Sequence, residues 1–154
     1  MPPRLQGWDY GAAGAYFITA CTYRRRPYFG EINGGRLSLS PLGELTRDCV
    51  GRVFVGAASA VVQTSVVMPD HLHLLIQRDI ADPGLPPLDT LVRDMKARIT
   101  HEARARALIE QRDPLWQRGY FDRIVRSQAE HDALRVYIET NVLRWTLHRE
   151  HAST

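Results

Sequence analysis

The 154-residue sequence is poor in several residue types, and each shortage excludes a class of protein. Its two cysteines, Cys21 and Cys49, lack the CxxC spacing of metal or redox motifs, so we interpret both as reduced packing residues. No apolar stretch approaches the ~20 residues that a membrane-spanning helix needs. The first residues, MPPRLQGWDYGAAG, also lack the continuous apolar core of a signal peptide. We therefore expect a cytoplasmic protein that does not contact a membrane.

Lysine is the scarcest charged residue, since Lys96 is the only one among 20 lysines and arginines. Asp and Glu number 17, so the formal net charge is +3 and the isoelectric point is about 9.1. Arginine therefore supplies nearly all the positive charge. Its planar guanidinium suits phosphate and stacks on bases, which makes nucleic acid a reasonable partner. A biased genome composition explains the same preference for arginine equally well.

The remaining composition is that of an ordinary globular protein, with 44% hydrophobic and 24% charged residues. The length fits one domain that spans residues 1–154, and no internal repeat or low-complexity tract divides it. Hydrophobic periodicity and turn residues predict nine segments, one of which is a loop. The first half of the chain is predicted to contain a strand from about Ala15 to Arg24, a hairpin at Gly34-Gly35 and a helix that begins at Ser40-Pro41. Two strands follow, AVVQTSVVM and HLHLLIQR, separated by Pro69-Asp70, and then a loop at 79–89. The second half is predicted to contain a helix with Leu88 to Ile99 on one face, the β-rich run LWQRGYFDRIVRS and a final helix, AEHDALRVYIETNVLRWTL.

This order of elements contains a β-α-β-β-α-β arrangement. A doubly wound sheet needs strands and helices in strict alternation, which this chain does not have. We therefore predict an α+β fold with a single ferredoxin-like, or RRM-like, antiparallel sheet and helices on one face.

Two histidines stand one residue apart in the segment SVVMPDHLHLLIQ. Side chains alternate between the faces of a strand, so His71 and His73 project from the same face, ~6.6 Å apart along the strand. Two imidazoles at this spacing can close onto one metal ion with bonds of ~2.1 Å. A pair of hydrogen-bonded core histidines is the alternative interpretation of this short motif.

Tyr137 and Asn141 lie four residues apart in the final helix and so share a helix face. A helix packed on the histidine face of the sheet can bring the Asn141 amide oxygen to a metal, with the Tyr137 hydroxyl beside it. Such a ligand set leaves positions open for water and phosphate oxygens, as a catalytic site requires. Alternatively, Tyr137 is a core tyrosine and Asn141 a helix-end residue.

Two segments, TYRRRPYF and WQRGYFDR, interleave arginines with aromatic residues. Surfaces of this composition bind single-stranded nucleic acid through backbone charge and base stacking. Lys96 is a plausible phosphate contact, or else part of a solvated helix face. The residues that we predict to contact DNA are Arg24, Arg25, Arg26, Lys96, Arg118 and Arg123.

The segment VVMPDHLHLLI resembles the VVMPNHxH signature of the REP-associated and related single-tyrosine transposases, which belong to the HUH endonucleases. Four further segments resemble this family in the same order, so the resemblance extends through nearly the whole chain. They are GAYFITACTYRRRPYFGEINGGRLSLSPLG, LPPLDTLVRDMKARIT, LWQRGYFDRIVRS and YIETNVLRW.

The resemblance implies an HUH-type fold and a metal-dependent enzyme that cleaves and joins single-stranded DNA through a 5′-phosphotyrosine intermediate. It implies that His71 and His73 bind the metal, that Asn141 is the third ligand and that Tyr137 is the nucleophile. The implied cofactor is Mg²⁺ or Mn²⁺. The implied partner is single-stranded or hairpin DNA, such as a REP element, bound by a monomer or homodimer associated with the nucleoid.

The sequence departs from the family pattern at Val142, where the family usually has a proline. Proline ends or kinks a helix, so Val142 allows the final helix to continue to Trp145 and leaves the geometry of Asn141 open. By residue type, Asp70, Asp122 and Glu139 can take the proton of the nucleophile.

Two other functions stay open at this point. One is a domesticated protein that binds repeat hairpins without moving them. The other is a small metallohydrolase that activates water with the histidine pair.

Overall fold

The computed structural model describes residues 14–55, 60–78 and 86–152. Residues 79–85 of the predicted loop at 79–89 lie outside these ranges. The elements are β1 (Gly14–Cys21), β2 (Gly30–Asn33), β3 (Arg36–Leu39), α1 (Pro41–Val55), β4 (Ala60–Met68), β5 (His71–Arg78), α2 (Leu88–Ala105), β6 (Phe121–Val125), α3 (Gln128–Glu139) and α4 (Asn141–Ala152).

The main sheet has four antiparallel strands in the order β4-β5-β1-β6. β1 and β5 are central, and each outer strand pairs with the central strand nearest to it. This is the strand order of a ferredoxin-like fold. The hairpin β2–β3 is inserted between β1 and α1 and forms a separate two-stranded sheet. The predicted α+β class, the central sheet and the hairpin are confirmed.

The main hydrophobic core lies between the sheet and the helices α1 and α2. Strand alternation directs Leu72, Leu74 and Ile76 of β5 into this core, and all three are fully buried. α2 contributes a stripe of buried residues, among them Val92 and Met95. α1 and α2 therefore cover one face of the sheet, as expected.

The opposite face, which carries His71 and His73, is covered by α3 and α4. α3 contacts β4 and β5, α4 contacts β4, and the Tyr137 ring of α3 lies 5.4 Å from the His73 ring. The expectation of helices on one face holds for α1 and α2 only. With the C-terminal helices on the second face, the β5 side chains of both faces are largely buried.

Two predicted strands are shorter in the structure. β1 ends at Cys21 and not at Arg24, because a 3-10 turn follows at Tyr23–Arg25, where Arg24 and Arg25 have φ of 54° and 56°. In the run LWQRGYFDRIVRS only β6 is a strand, although Trp116 forms an isolated bridge with Thr22.

The predicted final helix is divided at Thr140, whose backbone has φ −104° and ψ 11°. The Thr140 hydroxyl donates to the Val136 carbonyl at 2.7 Å, a bond that often bends helices. Four-residue backbone bonds nevertheless continue across the break, from Thr140 N to Val136 O and from Arg144 N to Thr140 O. α4 extends past Trp145, as expected with Val142 in place of proline.

Within the described ranges, no helix combines the length and the hydropathy needed to cross a bilayer.

Candidate active site

His71 and His73 lie on the same face of β5, as predicted, with ring centroids 4.6 Å apart. The register of the sheet sets their neighbours, since His71 is opposite Cys21 of β1 and His73 is opposite Thr19. Both side chains are buried, with only 7% of His71 and 5% of His73 exposed. The two imidazoles therefore occupy one small region beneath α3 and α4.

Each imidazole has a partner for its Nδ1 atom. His71 Nδ1 lies 2.7 Å from Asp70 Oδ1, and His73 Nδ1 lies 2.8 Å from Thr19 Oγ1. An ionised carboxylate only accepts, so His71 donates its Nδ1–H to Asp70 and carries its lone pair on Nε2. The Nε2 atoms are thus the ring nitrogens that can bind a metal, with the Nδ1 atoms held as in known metal centres.

Asp70 is itself held by Arg25 from the turn after β1. Arg25 donates from Nε to Asp70 Oδ2 at 3.1 Å and from Nη2 to Oδ1 at 3.4 Å. Burial disfavours the charged carboxylate, but the hydrogen bonds from His71 and Arg25 and the charge of Arg25 outweigh it and lower the pKa of Asp70. Asp70 is therefore ionised and accepts hydrogen bonds, and its lowered pKa makes it a weak base toward the Tyr137 hydroxyl.

His73 is the more strongly perturbed histidine. Burial, followed by the charges of His71 and Arg25, lowers the pKa of His73 from 6.5 to about 3. The ring stacks on Phe17 with centroids 5.1 Å apart and an interplanar angle of 24°. His73 is neutral at physiological pH, which is the protonation state that a metal requires of an imidazole ligand.

Tyr137 and Trp145 contact the two histidines from the helices above. The Tyr137 ring lies 5.4 Å from the His73 ring, and the Trp145 ring lies 6.3 Å from the His71 ring. Asn141 is four residues from each of them, begins α4 and is 6% exposed. Helical spacing therefore puts Asn141 on the side of the chain that faces the histidine pair.

Tyr137 is 36% exposed, so it is not a buried core tyrosine. Its ring meets Phe17 edge-on at 6.1 Å, and the guanidinium of Arg144 lies 5.2 Å above it. Arg144 Nε in turn donates to Thr140 Oγ1 at 3.1 Å. The nucleophile predicted from the sequence thus lies beside the histidine pair, is open to solvent and has a cation next to it.

The donor set fits a divalent metal with a partly open coordination shell. The part of the chain that the structure describes contains no group of three His, Cys, Asp or Glu residues that could hold a metal. A protein site here would consist of two neutral imidazoles and the Asn141 amide oxygen. Such a set suits Mn²⁺, and Mg²⁺ if water and phosphate oxygens complete the shell.

The predicted DNA contacts fall into three locations. Arg24, Arg25 and Arg26 form the turn after β1, beside Asp70. Arg24 and Arg26 are exposed, and their guanidiniums lie 5.2 and 5.7 Å from the centroid of the Tyr23 ring. Arg123 of β6 is opposite Phe17, so it lies on the histidine face of the sheet. It is an exposed residue that pairs with Glu130 at 2.8 Å.

Lys96 is part of α2, which covers the other face of the sheet, and Arg118 lies in the segment that Lys96 contacts. Lys96 Nζ donates to the carbonyl oxygens of Gln117 and Gly119 at 3.0 and 2.7 Å. Arg118 lies between these two carbonyls in the chain and is exposed. A phosphate contact by either residue stays a prediction, and the bonds of Lys96 show that it also fixes the backbone around Arg118.

Glu139, one of the candidate proton acceptors, forms an ion pair with Arg135 at 3.3 Å on the exposed side of α3.

Several contacts of the site were not predicted from the sequence, although Arg25 was predicted as a DNA contact. Thr19 and Phe17 support His73 from β1, Arg25 supports Asp70, and Arg144 covers Tyr137. Arg144 follows Tyr137 by seven residues, a helical spacing that could have indicated it. The β1 residues could be found only from the register between β1 and β5.

Comparisons with known proteins identify the family of the chain. A family model described as "Transposase IS200 like" matches residues 49–141, more than half of the chain and a range that includes both histidines, Tyr137 and Asn141. An uncharacterised protein of Haemophilus influenzae Rd is 28% identical over 160 aligned positions, which cover 92% of this chain and 87% of that protein.

Two solved structures share the fold. One is a REP-associated tyrosine transposase bound to a REP hairpin, with TM-score 0.64 and 17% identity over 94% of this chain and 74% of that one. The other is the crystal structure of a candidate transposase from Deinococcus radiodurans R1, with TM-score 0.58 and 17% identity over 90% of this chain and 97% of that one. Because the family model matches more than half of the chain, the chain belongs to the IS200-like transposase family.

Proposed function

We propose that this protein is a metal-dependent, single-stranded DNA endonuclease and strand transferase that forms a 5′-phosphotyrosine intermediate on Tyr137. The observation that carries the proposal is the position of Tyr137. Its side chain is partly exposed, and its ring centroid lies 5.4 Å from that of His73. Both residues fall inside the region that matches the transposase family. A tyrosine that served only to fill the core would be buried like the two imidazoles beside it.

The residues that would hold the metal are His71 and His73, through Nε2, and Asn141, through its amide oxygen. All three ligands are neutral, so a bound Mg²⁺ or Mn²⁺ ion supplies its full charge to the scissile phosphate. The hydrogen bonds of His71 to Asp70 and of His73 to Thr19 hold the rings in the orientation this requires.

In the proposed reaction the Tyr137 oxygen forms a bond to the phosphorus, and the bond from phosphorus to the 3′ oxygen breaks. The phenolic proton leaves Tyr137 and the departing 3′ oxygen takes up a proton, so charge and atoms balance. The phosphodiester energy is kept in the phosphotyrosine bond. A 3′ hydroxyl can then attack this bond and join the strands without ATP.

DNA is the proposed partner, in single-stranded or hairpin form. The REP-associated relative with the same fold is bound to a REP hairpin, which supports a structured substrate of this kind. The turn at Arg24–Arg26 lies beside the site, because Arg25 bonds to Asp70, and it offers cations together with Tyr23. Such a surface can bind the strand that enters the site. Association with the nucleoid follows from this substrate.

A domesticated protein that binds hairpins without cleaving them is the second candidate, and the hairpin-bound relative supports it equally. The intact set of two histidines, Tyr137 and Asn141 favours cleavage. A metallohydrolase that activates water is less well supported, because the described residues provide no third His, Cys, Asp or Glu ligand.

The test is a cleavage assay with Mn²⁺ and 3′-end-labelled single-stranded DNA from the region that flanks the gene, because the 3′ fragment is the one that would stay on Tyr137. We expect a labelled protein–DNA adduct on a denaturing gel with the wild type and none with Tyr137→Phe. Binding of the same DNA without an adduct in either protein would support the binding-only alternative. Cleavage that persists in Tyr137→Phe would support the metallohydrolase.

A further inference from the structure

We propose that Asp70 and Arg25 are positioning residues for the metal-binding edge of His71. Asp70 fixes which ring nitrogen of His71 carries the proton, and Arg25 fixes Asp70. The inference rests on the proposed function, because it assumes that His71 binds a metal through Nε2.

The geometry forms a continuous chain of hydrogen bonds. Arg25 reaches both carboxylate oxygens of Asp70, through Nε at 3.1 Å and Nη2 at 3.4 Å. Asp70 Oδ1 accepts the Nδ1–H of His71 at 2.7 Å. The Asp70 side chain is 12% exposed and the His71 side chain 9%, so water competes little for the bond between them. The Arg25 side chain is 50% exposed, so its bonds to Asp70 are open to water on one side.

The main chain of Asp70 is held by the same turn. Its carbonyl oxygen accepts from the backbone N–H of Thr22 at 2.9 Å and from the Thr22 hydroxyl at 3.0 Å. The Thr22 carbonyl then accepts from the backbone N–H of Arg25 at 3.0 Å. The main chain and the side chain of Asp70 are thus both bonded to the turn at residues 22–25.

The backbone of this turn is unusual for its residues. Arg24 and Arg25 both have positive φ, 54° and 56°, which is uncommon outside glycine. Left-handed residues that are not glycine persist when the surrounding structure determines them. Here that conformation directs the Arg25 side chain onto Asp70, so a DNA contact is not its only role.

Simple electrostatics and positioning make opposite predictions for Arg25. Removing a positive charge near a cation site should strengthen cation binding. Removing a residue that orients a ligand should weaken it, because the ligand no longer presents the correct nitrogen. The sign of the change in metal affinity therefore separates the two roles.

The experiment measures Mn²⁺ affinity of the metal-free protein by calorimetry, and the His71 tautomer by ¹⁵N NMR. We expect Asp70→Ala to weaken Mn²⁺ binding by about 10- to 100-fold and Arg25→Ala by about two- to tenfold. We expect His71 to carry its proton on Nδ1 in the wild type and to populate both tautomers in Asp70→Ala.

Arg26→Ala is the matched charge control, since it removes the same charge from the same turn without touching Asp70. We expect its Mn²⁺ affinity to equal or slightly exceed that of the wild type. Asp70→Asn, the residue of the VVMPNHxH signature, keeps an acceptor for His71, so we expect it to lose less affinity than Asp70→Ala. If Asp70→Ala does not fold, Arg25→Ala keeps the proposal testable through the sign of its change in Mn²⁺ affinity.

Three results would overturn the proposal. Tighter Mn²⁺ binding by Arg25→Ala would remove Arg25 from the positioning role, and an unchanged His71 tautomer with unchanged Mn²⁺ affinity in Asp70→Ala would remove Asp70. Wild-type Mn²⁺ affinity in His71→Ala would refute the metal site itself. If His71→Ala loses Mn²⁺ while the Asp70 and Arg25 variants retain it, only the present inference fails.

Discussion

His71 and His73 are one residue type in two environments, and the difference determines what each contributes. His71 donates to a carboxylate, whereas His73 lies against a hydroxyl and stacks on Phe17. Both arrangements hold Nδ1 and leave Nε2 for a ligand. Asp70, Thr19 and Phe17 therefore set the orientation of the two rings.

We expect His71→Ala or His73→Ala to abolish Mn²⁺-dependent cleavage and to leave DNA affinity largely intact. The metal acts on the reacting phosphate, whereas binding depends on arginines spread over the surface. Cleavage gels and fluorescence anisotropy with the same oligonucleotide check the two halves. Full cleavage by either variant with Mn²⁺ present would refute the metal assignment.

The low pKa of His73 predicts how the stability of the metal-free protein varies with pH. Between pH 6.5 and about 3, the unfolded chain binds a proton at His73 that the folded protein does not. The stability contributed by neutral His73 is therefore complete above pH 6.5 and declines as the pH falls, by up to about 1.4 kcal/mol per pH unit.

Urea unfolding of the wild type and His73→Gln, with EDTA present, tests this prediction. The free energy of unfolding of the wild type should fall more steeply between pH 6.5 and 4 than that of the variant. Parallel curves would show that His73 takes up its proton over the same pH range in the folded and unfolded states, which contradicts the low pKa.

At the scale of the element, α3 is the helix that presents Tyr137, and its start is fixed by a cap. The Ser127 hydroxyl accepts from the Glu130 backbone N–H at 3.1 Å, as a helix N-cap does. Leu134 and Ile138 are the buried residues of this helix. Cap and apolar face together orient α3 so that Tyr137 lies above His73.

We expect Ser127→Ala to reduce the free energy of unfolding by about 1 kcal/mol, because one N-terminal N–H of α3 loses its acceptor. Ser65→Ala, at an exposed position on β4, is the control and should change stability by less than about 0.5 kcal/mol. Equal stability of the two variants in chemical denaturation would mean that the cap contributes nothing.

Elements were predicted well where periodicity is strong and less well at their ends. The hairpin, β4, β5 and α2 follow the pattern of apolar and turn residues in the sequence. The break at Thr140 was not predicted, because a threonine hydroxyl bonded to the preceding turn does not change hydrophobic periodicity. The early end of β1 depends on the left-handed backbone at Arg24 and Arg25, which a basic run does not indicate.

At the scale of the whole molecule, the fold brings together residues that are far apart in the chain. The same-face placement of His71 and His73 is local and was predicted. The contact between Thr19 and His73 joins residues 54 apart in the chain, and the contact between Arg25 and Asp70 joins residues 45 apart. Both contacts depend on the register between β1 and β5. Local sequence does not encode that register, so these contacts emerged only from the structure.

The distribution of arginines predicts a salt dependence of DNA binding. We expect log affinity to fall with log salt by ~0.7 per phosphate neutralised on a single strand. Removal of one contacting residue should flatten the slope by about that amount. Variants with alanine at each of five positions test this: Arg24, Arg25, Arg26, Arg118 and Arg123.

Arg47→Ala is the control, because Arg47 is exposed on α1 and pairs with Asp48, on the other side of the molecule from the histidines. Its slope should equal that of the wild type. If none of the five variants changes the slope, the predicted DNA surface is wrong.

The most direct test of the central claim is to identify the residue that becomes linked to DNA. After reaction with Mn²⁺ and single-stranded DNA, nuclease and trypsin digestion should yield a nucleotide on the peptide VYIETNVLR, residues 136–144, which contains Tyr137 as its only tyrosine. Mass spectrometry should find this adduct in the wild type and not in Tyr137→Phe. A nucleotide attached to any other peptide would contradict the account, even if Tyr137→Phe were inactive.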